Sequence, residues 1–363
     1  MRLVILPGDG IGPEISAATR EVLELVDARL GLGLTFDQHV VGLASLATQG
    51  STLPTAALQA ALAADGVILG PVSHSDYPPR GEGGLNVSSE LRIDLDLFAN
   101  IRPSRSRPGL PHYGRTAMDL VIVRENTEGF YSDRNMHLGV GEFMPTEDLA
   151  LSIRKVSARA SRRIAEAAFA LARQRRHKVT AVHKANVIKI SEALFLREVR
   201  KVAAAFPDVA YEEQLVDAMA AHLVRDAQRF DVVVTTNMFG DILSDEAAEL
   251  SGGLGLGGSL NQGDDRAMAQ AQHGSAPGIQ GQDRANPTSL ILSAAMLLRW
   301  WAGRGTDRAA FGRAAAAIEA AVDLLVADPA RRTADLGGPL GCAGFTAALC
   351  RRLEVRLTDG GPA

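Results

Sequence analysis

The chain has 363 residues, 46% of them hydrophobic and 22% charged, with a formal net charge of −4. That length supports a substantial core in one large α/β unit or two domains, and the charge argues against electrostatically driven binding of nucleic acid or a membrane surface. Two cysteines with neither metal-site spacing nor a disulfide framework, an N-terminal apolar run too short for a signal peptide, and no stretch of membrane-spanning length together predict a cytoplasmic protein.

In chain order, "RLVILPG" (2–8) reads as a strand, "DGIGPE" (9–14) as a loop and "ISAATREVLELVDARL" (15–30) as a helix. The glycines at 8, 10 and 12 do not make a dinucleotide-binding turn, which needs its third glycine three positions after the second. Pro13 and Glu14 also sit where an anion would approach. A Rossmann reading is therefore rejected. "ALQAALAADGVILGPV" (57–72) repeats the helix–strand alternation, and "LDLFANIRP" (95–103) and "MDLVIVRENTEGFY" (118–131) carry arginines on apolar strands. Arg92, Arg102 and Arg124 suit bidentate capture of small carboxylates, and Tyr131 offers a phenol as a proton donor. "FYSDRNMHLGVGEFMP" (130–145) reads as a projecting hairpin.

"VTAVHKANVIKISEALF" (179–195) places Lys184 at the end of a β-branched strand, where it is either a solvated terminus or a base with a lowered pKa. Asp217 interrupts an apolar stripe in "QLVDAMAAHLV" (214–224) and requires a partner there. "DVVVTT" (231–236) is a strand, and "GDILSDEAAEL" (240–250) a helix whose Asp241 and Asp245 lie one turn apart on one face. Like charges so placed repel by a few tenths of a kcal/mol. Either both are solvated, Asp241 serving the helix N-terminus, or they hold a hard divalent cation. Beyond them, "SGGLGLGGSLNQGDD" (251–265) and "HGSAPGIQGQDRANP" (273–287) read as irregular, and the last hundred residues as largely helical. The strand–helix alternation predicts an α/β protein with a substantially parallel sheet.

Taken in order, "LPGDGIGPE", "LDLFANIRP", "VRENTEGFY", "VHKANVIK", "VDAMAAHLV", "FDVVVTTNMFGDILSDEAAEL" and "HGSAPGI…ANPTSLILSAAML" resemble the β-decarboxylating hydroxyacid dehydrogenases. These are the isopropylmalate, isocitrate, homoisocitrate, tartrate and D-malate dehydrogenases, and the resemblance covers nearly the whole chain. It implies an open mixed sheet flanked by helices, isopropylmalate dehydrogenase-like and not Rossmann, in two domains. Residues 1–99 and 252–363 would form a large cofactor-binding domain. Residues 100–251 would form a small substrate and dimerisation domain, with an intersubunit arm near 130–145.

The resemblance further implies Arg92, Arg102 and Arg124 on the two malate carboxylates, and Asp241 and Asp245 on Mg²⁺ or Mn²⁺. It implies a homodimer with shared active sites, in which Asp217 reaches the metal and Lys184 serves as base across the subunit boundary. Tyr131 then protonates the enol. His273, Gly274, Ala276 and Asn286 correspond to the adenosine loop. Two departures stand out: Gly278 occupies the position where NAD users carry an acid and NADP users often a base, and "AQAQ" (269–272) replaces the usual Glu-Pro. Without a base at Gly278, NAD is expected rather than NADP. Polar Asn86, Ser88 and Ser89 before Arg92 suit a carboxylate or hydroxyl on the substrate, so an isocitrate-like di- or tricarboxylic hydroxyacid is expected. Isopropylmalate, D-malate and tartrate are the alternatives, and a non-catalytic regulatory homologue is a third reading.

Overall fold

Residues 3–6 are apolar and fully covered, and they form the inner part of strand β1 (Arg2–Leu6). In the computed structural model, which describes residues 1–131, 135–305 and 308–358, the chain divides into two units. The first comprises Met1–Leu97, Ser106–Pro111 and the residues from Gly252 onward; the second comprises Phe98–Arg105 and His112–Ser251.

In the first unit β1 pairs in parallel with β2 (Thr35–Gln38) and with β3 (Gly66–Leu69). Strand β12 (Ala267–Gln270) joins β3 in parallel, and β11 (Leu260–Gln262) closes on β12 antiparallel. Helix α1 (Gly12–Leu30) begins with Pro13, whose missing N–H is harmless in a first turn. Two short helices, α2 (Leu43–Gln49) and α3 (Thr55–Ala63), follow before α4 (Val87–Asp94). Val4, Leu6, Val67, Leu69 and Met268 of the sheet pack against Ala57 and Ala61 of α3 and Val87 and Leu91 of α4. The helical C-terminal third supplies α9 (Thr288–Ala302), α10 (Ala309–Ala327) and α11 (Cys342–Thr358), with α9 against α10 and α1 against α11.

In the second unit β8 (Lys178–His183) lies in parallel between β9 (Ala210–Leu215) and β10 (Val232–Thr235). β10 continues in parallel to β5 (Asp119–Glu125), and β5 pairs antiparallel with β4 (Ala99–Arg105). Helices α5 (Ala158–Ala172), α6 (Lys189–Ala204), α7 (Val216–Asp226) and α8 (Asn237–Ser251) complete the unit. The largely parallel pairing with flanking helices is the α/β architecture expected from the alternation of elements, and the antiparallel pairs make it the mixed sheet that the family resemblance implied. Among the described residues no helix is long and apolar enough to cross a membrane.

Three local expectations need correction. The two-stranded ribbon lies at β6 (Glu142–Thr146) and β7 (Leu149–Ser152), so only its beginning overlaps 130–145; of that earlier stretch, residues 132–134 lie outside the described residues. The glycine-rich stretch 251–265 contains β11, and β12 follows it. Leu-Asn-Gln and Ala-Met-Ala-Gln lack β-branched residues, so only pairing with neighbours makes them strands. Helix α8 starts at Asn237 rather than at Gly240, and its first turn holds no acid. Asp241 therefore does not serve the helix N-terminus.

Candidate active site

The second unit builds its polar cluster from strand register. Along β4, Asn100, Arg102 and Ser104 alternate with Ala99, Ile101 and Pro103, and the polar set points to one face. All three are buried, so this is not a solvent face. Asn100 is directly opposite Arg124 in the antiparallel β4–β5 pair, which brings Arg124 to the same face. Helix α8 packs over both strands and delivers Asp241, Ser244 and Asp245 to the two guanidinium groups.

Arg102 donates through Nε to Asn100 Oδ1 at 2.5 Å. Its Nη1 reaches Ser244 Oγ at 2.8 Å, and Asp241 Oδ1 and Asp245 Oδ1 at 3.1 Å each. Arg124, only 2% exposed, donates through Nε to Asn237 Oδ1 at 2.8 Å, through Nη1 to Asp241 Oδ1, and through Nη2 to Tyr131 Oη at 2.7 Å. Burial, and next the neighbouring Arg124 charge, bring the Arg102 pKa down to about 10, so the Arg102 guanidinium remains charged at neutral pH. Tyr131 accepts the Arg124 bond, so its own proton is not spent on it. Two buried cations need counter-charge, and the two aspartates supply it.

Gly240 makes this packing possible, although sequence reading passed over it. A Cβ at 240 would lie 2.7 Å from both Cβ and Cγ of Arg124. Alanine would gain roughly 1 kcal/mol of helix propensity, against overpacking that costs about 1–3 kcal/mol. Gly240→Ala is therefore expected to melt at most about 4 °C lower and to raise substrate KM roughly tenfold as Arg124 is displaced. Thermal denaturation with steady-state kinetics checks this; an unchanged KM would mean that Arg124 tolerates the shift.

A second pair forms at the end of β8. Lys184 Nζ stands 2.9 Å from Asp217 Oδ1, with the lysine side chain 25% and the aspartate 62% exposed. Asp217 lies in the first turn of α7, where only Met219 and Leu223 are buried, so it does not interrupt a core stripe as expected. The Lys184 ammonium, helped by backbone N–H groups at the start of α7, holds its carboxyl below the usual value. The backbone of Lys184 is fixed as well: its N–H donates to Glu192 Oε2 at 2.8 Å. Glu192 is fully buried and paired with Arg154 at 2.5 Å, and Arg154 also bonds Thr236 Oγ1 just before α8.

In the first unit Ser88 and Arg92 lie four apart on α4 and share a face. Ser88 Oγ and Arg92 Nη2 each donate to Gln270 Oε1 at 3.1 Å. Asn86 is the α4 N-cap, its Oδ1 accepting from Ser89 N at 3.1 Å, so that oxygen has a structural task beside the polarity read from the sequence. Ser89 is buried. The loop 8–12 meets residue 275: Ile11 N donates to Ser275 O at 2.9 Å. Gly10 has φ +55°, and a Cβ there would lie 2.0 Å from that same oxygen, which requires glycine. The neighbouring loop carries His273, Gly274 and Ala276, the last with φ 41°. Burial lowers the His273 imidazole below its ordinary value, and among the described residues its buried Nε2 has no hydrogen-bond partner. An orphaned ring nitrogen fits a bound nucleotide. Asn286 Nδ2 donates to Asp335 Oδ2 at 2.9 Å, and Gly278 is exposed with open space where its side chain would be.

The acidic pair also fits a divalent cation. Asp241 and Asp245, 42% and 48% exposed, offer hard oxygens one turn apart, and one positive group, Arg102 Nη1, already reaches both. Among the described residues no three His, Cys, Asp or Glu side chains of one chain stand close enough to hold a metal, so Asp217 does not join Asp241 and Asp245 within the chain. The structure thus assembles Arg102, Arg124, Tyr131, Asp241 and Asp245 in one cluster, and Lys184 with Asp217 in another. Asn100, Asn237, Gly240, Ser244 and Glu192 were missed; nothing in their local sequence marks them, since their partners are remote.

Comparison with known proteins is consistent along the whole length. The family model for isocitrate/isopropylmalate dehydrogenase matches residues 2–349. A 3-isopropylmalate dehydrogenase of Methanothermobacter thermautotrophicus is 40% identical over 98% of this chain and 99% of its own. An isocitrate/homoisocitrate dehydrogenase of Thermus thermophilus is 41% identical over 97% of this chain and 98% of its own. A probable mitochondrial NAD isocitrate dehydrogenase alpha subunit of Caenorhabditis elegans is 38% identical over 97% and 92%. Among solved structures, isocitrate dehydrogenase from Methylococcus capsulatus is 39% identical with a TM-score of 0.85, covering 97% of this chain and 99% of that one.

Proposed function

The chain belongs to the isocitrate/isopropylmalate dehydrogenase family, and from that premise we propose that it oxidatively decarboxylates a 3-substituted malate bearing a polar substituent, isocitrate first, with NAD and Mg²⁺ or Mn²⁺. The observation that carries the reading is the cluster in which Arg102 and Arg124 share Asp241 while Arg102 also reaches Asp245. Two buried arginines and two acids are together neutral. A dication added there leaves a double positive charge, which a malate-type dianion matches.

In this proposal Arg92, Arg102 and Arg124 bind the substrate carboxylates and set the C2–H and C3–carboxylate bonds in place. A second subunit's copy of Lys184, as the neutral amine, takes the proton of the C2 hydroxyl while the C2 hydrogen departs as hydride. After the C3–carboxylate bond breaks and CO₂ leaves, Tyr131 returns a proton to C3. Mg²⁺ or Mn²⁺, held by Asp241, Asp245 and a second subunit's copy of Asp217, supplies Lewis-acid polarisation of the C2 oxygen. NAD, bound through the loop of His273, Gly274, Ala276 and Asn286, supplies the hydride acceptor.

NAD rather than NADP is supported by Gly278, which offers no base for a 2′-phosphate, and by the NAD-named relative from C. elegans. A homodimer is supported by the exposed apolar residues Phe143, Met144, Leu149 and Leu151 of the β6–β7 ribbon. Residues 252–363 with 1–99 are then the cofactor-binding domain, and 100–251 the substrate and dimerisation domain. Initial rates with isocitrate, isopropylmalate, D-malate and tartrate, each with NAD or NADP and Mn²⁺, test the reading. Isocitrate with NAD is expected to give the highest kcat/KM, and a hydroxyl-lined site should prefer it to an alkyl malate by more than the 10- to 200-fold that a hydrophobic pocket achieves. Turnover of isopropylmalate alone would overturn the substrate, though not the reaction.

A further inference from the structure

Resting on the functional reading above and its shared sites, we propose that Glu192 and Arg154 are positioning residues for Lys184. Their buried ion pair holds in place the base that one subunit gives to the other's site. Glu192 lies in the first turn of α6, is fully buried, and has both carboxylate oxygens engaged. Oε2 accepts the Lys184 N–H at 2.8 Å, and Oε1 stands 2.5 Å from Arg154 Nη2. The Lys184 carbonyl is occupied as well, accepting from Val187 N at 3.0 Å and from Ile188 N at 2.9 Å. Both backbone polar groups of Lys184 are thereby fixed at the point where the chain leaves β8.

Arg154 ties this point to the elements around it. Its side chain is 8% exposed. It donates through Nη1 to Ser191 Oγ at 3.2 Å and through Nη2 to Thr236 Oγ1 at 2.8 Å. Its guanidinium carbon lies 5.8 Å from the Phe130 ring centre and 5.4 Å from that of Phe239, and aromatic walls suit a cation. Phe130 precedes Tyr131, while Thr236 and Phe239 flank the start of α8, which carries Asp241 and Asp245. A buried ion pair is poor ground for stability, because well-packed apolar residues of similar volume often serve as well or better. What apolar residues cannot do is accept the Lys184 N–H. The pair is thus fitted to geometry at Lys184 rather than to folding.

Two experiments test this. Arg154→Met/Glu192→Leu, which leaves neither charge of the pair buried, is expected to melt within about 4 °C of wild type. Its kcat on the best acid of the panel is expected to fall about 10- to 100-fold with KM within about threefold, the scale of a base misplaced by roughly 1 Å. Glu192→Gln keeps one acceptor oxygen, which the guanidinium takes in preference to the Lys184 N–H. Its kcat is expected to fall at least about tenfold. A wild-type kcat in either variant would overturn the proposal. Glu192→Gln is then mixed with Asp241→Asn and the subunits are reassorted. If Glu192 acts through the lysine given away, half of the dimers are hybrids with one intact site each, and about a quarter of wild-type activity returns. No recovery here, while Lys184→Met mixed with Asp241→Asn does recover, overturns the role of Glu192 alone. If that control pair stays inactive too, the shared sites fall, and this inference with them.

Discussion

Lys184→Met is expected to reduce turnover by about 10²- to 10⁴-fold, the range that a positioned general base contributes, with the substrate KM within about threefold of wild type. The geometry gives the reason for so large a figure. Lys184 follows the last residue of β8, its N–H is tied to the fully buried Glu192, and its Nζ is the partner of Asp217. The backbone is anchored and Nζ projects from it, which is what a base that takes a carbinol proton as the neutral amine needs. The dull account is a partly exposed ion pair, and such pairs contribute only about 0–1 kcal/mol to stability. On that account Lys184→Met would melt near the wild-type temperature and keep its activity. Activity lost with the melting temperature retained separates the two; activity retained would remove Lys184 from the chemistry.

Asp241→Asn should have two effects of different kind. Asp241 Oδ1 accepts from both Arg102 and Arg124, so the amide leaves two buried guanidiniums with Asp245 as the remaining carboxylate of the cluster. Removing one partner of a fully buried pair costs about 3–5 kcal/mol. Asp241 is 42% exposed, so water takes over part of its role and a loss of about 1–2 kcal/mol is expected. The catalytic effect should be larger: kcat about 10²- to 10³-fold lower, and the Mn²⁺ concentration for half-maximal rate at least about tenfold higher. Substrate KM should change less, because the arginines that bind carboxylates are still present. Manganese titrations of the rate alongside chemical denaturation read both effects. If stability falls while the manganese requirement is unmoved, Asp241 serves the arginines only.

Some of this was written locally. "DVVVTT" yields β10 because a short β-branched block has few other ways to be buried, and the i, i+4 spacing alone puts Asp241 and Asp245 on one face of α8. Where the local signal was thin, the reading slipped. Asn86 uses its side-chain oxygen as a helix cap, which its polarity alone did not reveal, and Asp217 looked buried in an apolar stripe and is itself exposed. The ribbon at 142–152 and the strands β11 and β12 carry little intrinsic β preference, and neighbours decide such segments.

The sequence by itself determined the alternation of elements, the residue types fit for carboxylates and a hard cation, and, through ordered motifs, the family. Only the tertiary structure decided which of those residues meet. Arg102 reaches Asp241 across 139 residues, and Arg92 reaches Gln270 across 178. The antiparallel register of β4 and β5 turns Asn100, Arg102 and Arg124 to a common face, and the missing Cβ of Gly240 lets α8 close over it. Periodicity acts over one or two turns of chain, whereas register and close approach are fixed by packing between segments far apart in sequence.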